Sequence, residues 1–500
     1  MSDIVPHMLI RSAEQRPNKT AIVFQSREIT FAELRKYAEK TAQKLAAAGA
    51  GQNIHVAVLA QNSASYAIIT HALSLLRSVL TPLNTRLSRE ECLWQLRDCE
   101  ATILICDEIF AETGKFLAEQ LPDVRILYMS GAQAEADLFA ELPEAAVELF
   151  TEYDSEAIQA IMYTSGSSGK PKGALITYGM HWWNAAASAL NIGVYPDDAW
   201  LANLPFFHIG GLSILMRSVI YGMRVIIHEK FDPDAANNAV AEDRATIISV
   251  VAITLRKMLN ALPENSNFPP WLRVVLVGGG PVPETLLQEC LRRGAPVCQT
   301  YGLTESCSQA VTLAPQDALR KIGSAGRPLP AVQLKILQNG KETAPGKAGE
   351  IFLKGPTITK GYYHLEDLNA SVFQNGWFGT GDIGSRDDEG YIYIHDRRAD
   401  LIISGGENIY PAEIEAALLS HPDVADAGVC GIDDEEWGKV PAAFIKLREG
   451  AILTATELQD YAAQRLAKFK CPRKIIFTDE VPRNAAGKLL RRRLTELLPP

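Results

Sequence analysis

Three glycines, four aliphatic hydroxyls and two lysines fall within eleven positions, residues 163–173, YTSGSSGKPKG. Gly166 and Gly169 permit backbone angles that turn successive N–H groups toward one anion. Thr164, Ser165, Ser167 and Ser168 add hydroxyl donors, and Lys170 and Lys172 add positive charge. The combination suits a cradle for the β- and γ-phosphates of a nucleotide. A Walker A loop is excluded, because that motif needs four residues between its glycines and Ser or Thr after its lysine. Here two residues separate Gly166 from Gly169, and Pro171 follows Lys170. The bland alternative is a Ser/Gly linker, but the apolar run at 158–162 argues for a strand leading into a built loop.

The elements that must hold such a loop follow from hydrophobic periodicity. Residues 30–48 read as a helix, with Thr30 and Glu33 as a capping box and Gly49 and Gly51 as its stop. Short apolar runs at 54–60, 101–106, 124–129, 245–253 and 273–277 read as buried strands, and 283–292 as a helix. Strands alternating with helices predict crossover units and a mostly parallel sheet. From about residue 320 the texture changes. Short segments at 332–337, 349–354 and 391–394 are separated by Gly, Pro, Asn and Asp, as in hairpins. The charged stretch 396–400, DRRAD, marks a boundary. After it, Pro411 opens a helix and Thr454 with Glu457 makes a second capping box. The expected fold is α/β. A large N-terminal domain, 1–396, combines crossover α/β subdomains with a small β-rich subdomain, and a small α+β domain, 397–500, follows.

Composition narrows the function classes. Lys+Arg 49 against Asp+Glu 59 leaves a net charge of −10 over 500 residues. A general nucleic-acid or anionic-membrane binder would carry a basic excess, so neither partner is expected. The eight cysteines form no C-x-x-C pair, which argues against a zinc ribbon or a dithiol redox motif. The N-terminus lacks a secretory pattern, and no uncharged apolar run reaches about 18 residues. The expectation is a cytoplasmic protein without membrane insertion.

The 163–173 loop resembles the signature of the adenylate-forming superfamily of acyl-CoA synthetases, peptide-synthetase adenylation domains and luciferases. Further motifs occur in that superfamily's order, so the resemblance covers nearly the whole chain. YGLTES, 301–306, is similar to the segment whose Tyr stacks on adenine, whose Thr contacts the α-phosphate side and whose Glu binds Mg²⁺. The resemblance thus implies Tyr301, Gly302 and Thr304 for ATP, with Gln299 and Thr300 before them, and Glu305 with Thr164 for the metal. The chemistry is consistent, since a hard cation wants carboxylate oxygen and adenine an aromatic face. GGG at 278–280 resembles a loop lining the acyl and nucleotide pocket, which implies Gly279 and Gly280. Asp382 in TGD resembles the acid that holds the ribose hydroxyls, and Arg397 the hinge-region arginine that contacts ribose or phosphate. Lys488 resembles the lysine that bridges substrate carboxylate and α-phosphate. Ser404, Gly405 and Gly406 resemble the glycine-rich lining of the pantetheine tunnel. The superfamily turns its C-terminal domain between half-reactions, so that domain is expected to be mobile. The hinge position, commonly Asp or Lys, is Ala399 here.

Other segments narrow the acid. LPFFHIGGL at 204–212, SVIYGM at 218–223, YGLTESCSQAVTL at 301–313 and DRRADLIISGGENIYPAEIE at 396–415 resemble the 2-succinylbenzoate–CoA ligase family of menaquinone synthesis. His208 is then implied at the mouth of the acyl pocket, as a catalytic and substrate contact. Gly302, Ser306 and Ser308 are implied in its wall. Arg217 lies in the apolar stretch ILMRSV, where an arginine either snorkels to water or meets an anion. It is a candidate for holding the aromatic carboxylate. The implied reactants are a small carboxylic acid, ATP with Mg²⁺, and coenzyme A as co-substrate; self-association is left open. Another aryl- or medium-chain acyl-CoA synthetase is the alternative within the superfamily. A nucleotide-binding regulator without catalysis is the alternative outside it.

Overall fold

The computed structural model describes residues 3–129, 137–164, 170–264, 266–279, 282, 284–396, 401–482, 489 and 491–498. The chain forms two compact units. The first comprises Met1–Thr85, Leu96–Met162 and Gly173–His395; the second comprises Arg86–Gln95, Tyr163–Lys172 and Asp396–Pro500.

Two large sheets build the first unit. One runs in the order Lys172–Thr177, Ile158–Thr164, Val79–Pro82, His55–Leu59, Ile103–Asp107 and Arg125–Met129. The last four strands pair in parallel, as alternating apolar runs and helices predict. Helix Phe31–Ala47 begins at the expected capping box. The Glu33 amide donates to Thr30 Oγ1 at 3.2 Å, and the Thr30 amide donates to Glu33 Oε2 at 2.8 Å. Those bonds hold the Glu33 carboxyl below its ordinary range. Helix Ala64–Leu75 is buried along its whole length. Two of its polar side chains are satisfied within the turn: Thr70 Oγ1 donates to the Tyr66 carbonyl and Ser74 Oγ to the His71 carbonyl.

The second sheet changes character midway. Thr20–Phe24, Arg224–Ile227, Ala199–Ala202, Ile247–Val251, Val274–Gly278 and Val297–Leu303 are neighbours in parallel. From Val297–Leu303 onward the pairing is antiparallel, through Ser308–Thr312, Ser324–Pro328 and Ile392–Asp396 to the hairpins beyond. The β-rich region expected after residue 320 therefore continues the crossover sheet. Its strands Gln333–Gln338 and Gly349–Lys354 pair antiparallel, as the turn residues predict. One boundary differs from the periodicity. The strand expected at 245–253 stops at Val251, and Ala252–Ala261 is a helix. The Val251 amide donates to Thr254 Oγ1 at 3.0 Å, which caps the helix two residues before the apolar run ends.

Burial of neutral histidines makes the first unit acid-sensitive. Desolvation pushes His71 down to about 4, and desolvation with the Arg217 charge pushes His181 down to about 3. Below the ordinary histidine range near 6.5 the unfolded chain takes up protons that the folded chain refuses. Stability is therefore expected to fall as pH drops below about 6.5, by about 1.4 kcal/mol per pH unit for each histidine. Denaturant midpoints measured between pH 7 and 5 check this. His181→Gln should flatten the slope by about that amount; an unchanged slope would remove His181 from the account.

The second unit has a five-stranded sheet, with Ile402–Ser404, Glu407–Ile409, Val424–Asp434, Gly438–Leu447 and Lys474–Phe477. Helices Pro411–Leu419 and Ala455–Ala463 start at the expected Pro411 and Thr454–Glu457 signals. Ile414, Leu418, Val429, Ile445 and Leu458 form the core. Among the described residues, no helix is long and apolar enough to cross a membrane.

Candidate active site

In open α/β sheets the carboxyl ends of the parallel strands, where strand order changes, form the natural binding crevice. Strand Val297–Leu303 is that place here, parallel to one neighbour and antiparallel to the other. It carries Gln299, Thr300, Tyr301 and Gly302, and Thr304–Ser306 follows as a single 3₁₀ turn. Its register with Ser308–Thr312 shifts between Tyr301 and Gly302. Such a bulge re-aims side chains at the rim of a sheet. Only glycine fits at 302, because a Cβ there would stand 1.6 Å from the Ser308 carbonyl oxygen.

Two of the residues expected to bind the adenosine, Tyr301 and Asp382, are brought together. The Tyr301 hydroxyl donates to Asp382 Oδ2 at 2.7 Å, and both residues are buried. Asp382 sits in strand Trp377–Arg386, where its amide donates to Thr380 Oγ1 at 3.0 Å. An aromatic ring and a carboxylate, 81 residues apart in sequence, thus form one wall. Thr300 Oγ1 donates to the Val311 carbonyl at 3.0 Å. Gln299 Nε2 is buried and has no hydrogen-bond partner among the described residues. An orphaned donor of this kind fits a polar ligand atom. Gly279 follows strand Val274–Gly278 at the same carboxyl-end edge.

Glu305 is held from two sides. Its Oε1 accepts from the Tyr362 hydroxyl at 2.6 Å, and its carbonyl accepts from the Thr359 amide at 2.7 Å. The side chain is half-buried. Among the described residues, no group of three His, Cys, Asp or Glu could hold a metal ion. A lone carboxylate suits a magnesium ion that arrives on the triphosphate, which supplies further oxygens itself.

Of the acyl-side candidates, Arg217 lies in a buried polar cluster with Asn184 and the Ser306 carbonyl. His208 caps helix Ile209–Tyr221 with its backbone, half-buried, with its ring edge-on to Phe207 at 4.8 Å. Arg217, on the same helix, is 2% exposed. Its Nη2 donates to Asn184 Oδ1 at 2.6 Å and its Nη1 to Ser213 Oγ at 3.2 Å. The guanidinium lies 5.2 Å over the Trp200 ring, and Nε has no hydrogen-bond partner among the described residues. It makes no ion pair with a carboxylate among the described residues. Asn184 Nδ2 donates in turn to the Ser306 and Gln309 carbonyls. The Ser306 hydroxyl serves its own turn, accepting from the Leu303 amide at 2.9 Å. Ser308 opens the next strand. Cys307 is fully buried beside His181, and desolvation pushes its thiol up to about 12, so it is no nucleophile at neutral pH.

In the second unit, Ser404, Gly405 and Gly406 form the tip of a hairpin. Both glycines have positive φ, +56° and +88°, as a two-residue turn of this hand requires. The Gly405 amide donates to the Trp437 carbonyl at 2.9 Å. Thr164 ends strand Ile158–Thr164, and Lys172 begins strand Lys172–Thr177, buried, while Lys170 is exposed. Ser165, Gly166, Ser167, Ser168 and Gly169 lie outside the described residues, as do Gly280, Arg397, Ala399 and Lys488. Sequence reading missed Asn184, Tyr362 and Trp437. Only Tyr362 left a trace, a paired aromatic after Gly361. Asn184 lies in an apolar helix with no motif around it.

Comparison with known proteins identifies the family. The model of the AMP-binding enzyme family matches residues 9–363, and that of the AMP-binding enzyme C-terminal domain matches 413–488. A 2-succinylbenzoate–CoA ligase of Geobacillus sp. (strain WCH70) is 46% identical over 499 residues, covering 100% of this chain and 99% of the relative. A double mutant of the Bacillus subtilis o-succinylbenzoate CoA synthetase, bound with its product analogue OSB-NCoA, superposes with a TM-score of 0.93 at 43% identity, covering 99% of each chain. The same synthetase in complex with ATP and magnesium gives 0.75 at 42% identity, covering 99% of this chain and 100% of that one. This chain belongs to the AMP-binding enzyme family and, within it, to the family of 2-succinylbenzoate–CoA ligases.

Proposed function

We propose that the chain joins 2-succinylbenzoate to coenzyme A at the expense of ATP, through an acyl-adenylate, as a step of menaquinone synthesis. The observation that carries this is a single segment, 299–306, that sets an aromatic ring against a buried carboxylate and then presents Glu305. A purine, a ribose and a metal-bound phosphate need those three groups in that order.

In the first half-reaction the aliphatic carboxylate of the acid attacks the α-phosphorus of Mg·ATP. A new P–O bond forms, the bond to the bridging oxygen breaks, and pyrophosphate leaves. Thr164, Ser165, Gly166, Ser167, Ser168, Gly169, Lys170 and Lys172 would hold the departing phosphates, and Glu305 with Thr164 would hold the metal, which would offset phosphate charge. Tyr301, Asp382 and Arg397 place the adenosine, lined by Gly279, Gly280, Gln299, Thr300, Gly302 and Thr304. Lys488 neutralises the oxygens that gather charge in the transition state. Positioning and charge stabilisation are most of what phosphoryl-type transfer asks of a protein. In the second half-reaction the CoA thiolate attacks the acyl carbon, the mixed-anhydride C–O bond breaks, and AMP leaves. Ser404, Gly405 and Gly406 line the path of the pantetheine arm. His208 contacts the acyl group, and Arg217 supplies the charge that answers its aromatic carboxylate. ATP and CoA are intracellular reactants and all eight cysteines are free thiols, which supports a cytoplasmic setting.

Pyrophosphate release across a panel of aryl and aliphatic acids tests the reading. 2-Succinylbenzoate is expected to give the highest kcat/KM, with the mass of its CoA thioester in the product. A preference for a monocarboxylic aryl or medium-chain acid would replace the substrate and keep the chemistry.

A further inference from the structure

The segment after strand Gly349–Lys354 ties two parts of the nucleotide site to each other. The Thr359 amide donates to the Glu305 carbonyl at 2.7 Å. Thr359 Oγ1 donates to the Leu175 carbonyl at 2.6 Å, and the Leu175 amide donates to the Gly361 carbonyl at 3.0 Å. Tyr362 bridges antiparallel to Ala174, and the Tyr363 amide donates to the Gly173 carbonyl at 2.8 Å. Residues 173–175 belong to strand Lys172–Thr177, which leaves the phosphate loop. The Tyr362 backbone is fixed on its other side by Asn369. The Tyr362 amide donates to Asn369 Oδ1 at 2.8 Å, and Asn369 Nδ2 donates to the Tyr362 carbonyl at 2.9 Å. Tyr362 is 4% exposed, and its hydroxyl meets Glu305 Oε1 at 2.6 Å.

We propose that Tyr362 is a positioning residue for the metal of Mg·ATP: its hydroxyl holds Glu305 Oε1 and so presents the other carboxylate oxygen to the ion. The inference rests on the reading of Glu305 as the metal's protein ligand. The tyrosine main chain is anchored independently of Glu305, so the hydroxyl is in place before ATP arrives. A carboxylate with one oxygen already bonded loses fewer rotamers on meeting the cation, which is the advantage of preorganisation. The same strap sets the spacing between Glu305 and the strand that exits the phosphate loop.

Equilibrium titration with Mg·ATP and with metal-free ATP tests this on the full chain. Tyr362→Phe removes one oxygen and keeps the ring. It is expected to reduce the preference for Mg·ATP about tenfold, the loss typical of a charge-assisted hydrogen bond. Binding of metal-free ATP is expected to stay within about twofold. In a Glu305→Gln background the same change should add nothing, because its route to the metal is gone. If Tyr362→Phe does not fold, Tyr362→4-aminophenylalanine, which keeps a donor, and Tyr362→4-methylphenylalanine, which fills the space without one, carry the test. The amino variant should retain the metal preference and the methyl variant lose it. An unchanged preference in Tyr362→Phe, an equal loss for metal-free ATP, or an undiminished effect on Glu305→Gln would overturn the inference. An unchanged preference in Glu305→Gln alone would instead remove the metal from Glu305, which is a failure of the underlying reading.

Discussion

Lys488→Ala is expected to abolish adenylation and spare thioester formation. With 2-succinylbenzoate and ATP, pyrophosphate release should fall by a factor on the order of 10³, the upper range for loss of one preorganised charge donor. With supplied acyl-adenylate and CoA, the thioester should form within about tenfold of the wild-type rate. The two half-reactions make different demands. In the first, an anionic carboxylate must approach an anionic phosphate, and the pentavalent transition state concentrates charge on oxygens that a single ammonium can meet. In the second, the electrophile is an activated acyl carbon, and AMP is already attached as its leaving group. Rapid-quench measurement of each half-reaction separates them. Comparable losses in both would mean that Lys488 supports the active conformation generally rather than the reacting oxygens.

Arg217→Ala is expected to raise KM for 2-succinylbenzoate on the order of 30-fold, equivalent to about 2 kcal/mol for one lost partner of a buried charge pair. KM for ATP should move by less than about twofold. The argument is electrostatic. A guanidinium on a residue 2% exposed, with neutral oxygens on its two terminal nitrogens and, among the described residues, no partner on Nε and no carboxylate beside it, is a buried charge short of compensation. Burial disfavours that charge, so an anion held nearby, directly or through water, recovers free energy. The test is sharpened by 3-benzoylpropionate, which keeps the reacting chain and lacks the ring carboxylate. It should be a poor substrate for the wild type and indifferent to the substitution. Equal effects on both acids and on ATP would assign Arg217 to the scaffold instead. It would then act through Asn184, which holds the Ser306 and Gln309 carbonyls.

Much of this chain was legible before any fold was known, for identifiable reasons. Helix 31–47 with its capping box and the Thr454 cap are local signals, set by side chains that bond backbone three residues away, and the Pro411 start is set by a ring that fixes φ at the first helical position. The strand at 247–251 was extended too far, because an apolar run does not itself say where a helix cap will end a strand. The order of motifs identified the family, since each motif is a short stretch whose chemistry survives without its surroundings. The roles of Tyr301, Glu305 and Asp382 came from that resemblance, since their own types and neighbours fit a surface loop equally well.

Tertiary structure alone decided how those residues act on each other. The bond from Tyr301 to Asp382 spans 81 positions, and that from Tyr362 to Glu305 spans 57. Neither separation has a period, so no pattern along the chain encodes it. The first arises where a parallel sheet turns antiparallel at Val297–Leu303, and the second where the segment that carries Tyr362 bridges to Ala174. Arg217 shows the division most plainly. Its sequence context allowed a solvated arginine or an anion site, and only packing that buries the guanidinium, with no carboxylate beside it among the described residues, turned that choice into an electrostatic argument. Composition and local bonding set the elements and named the chemistry; desolvation and long-range register, which exist only once the chain has packed, set which groups carry charge and where they point.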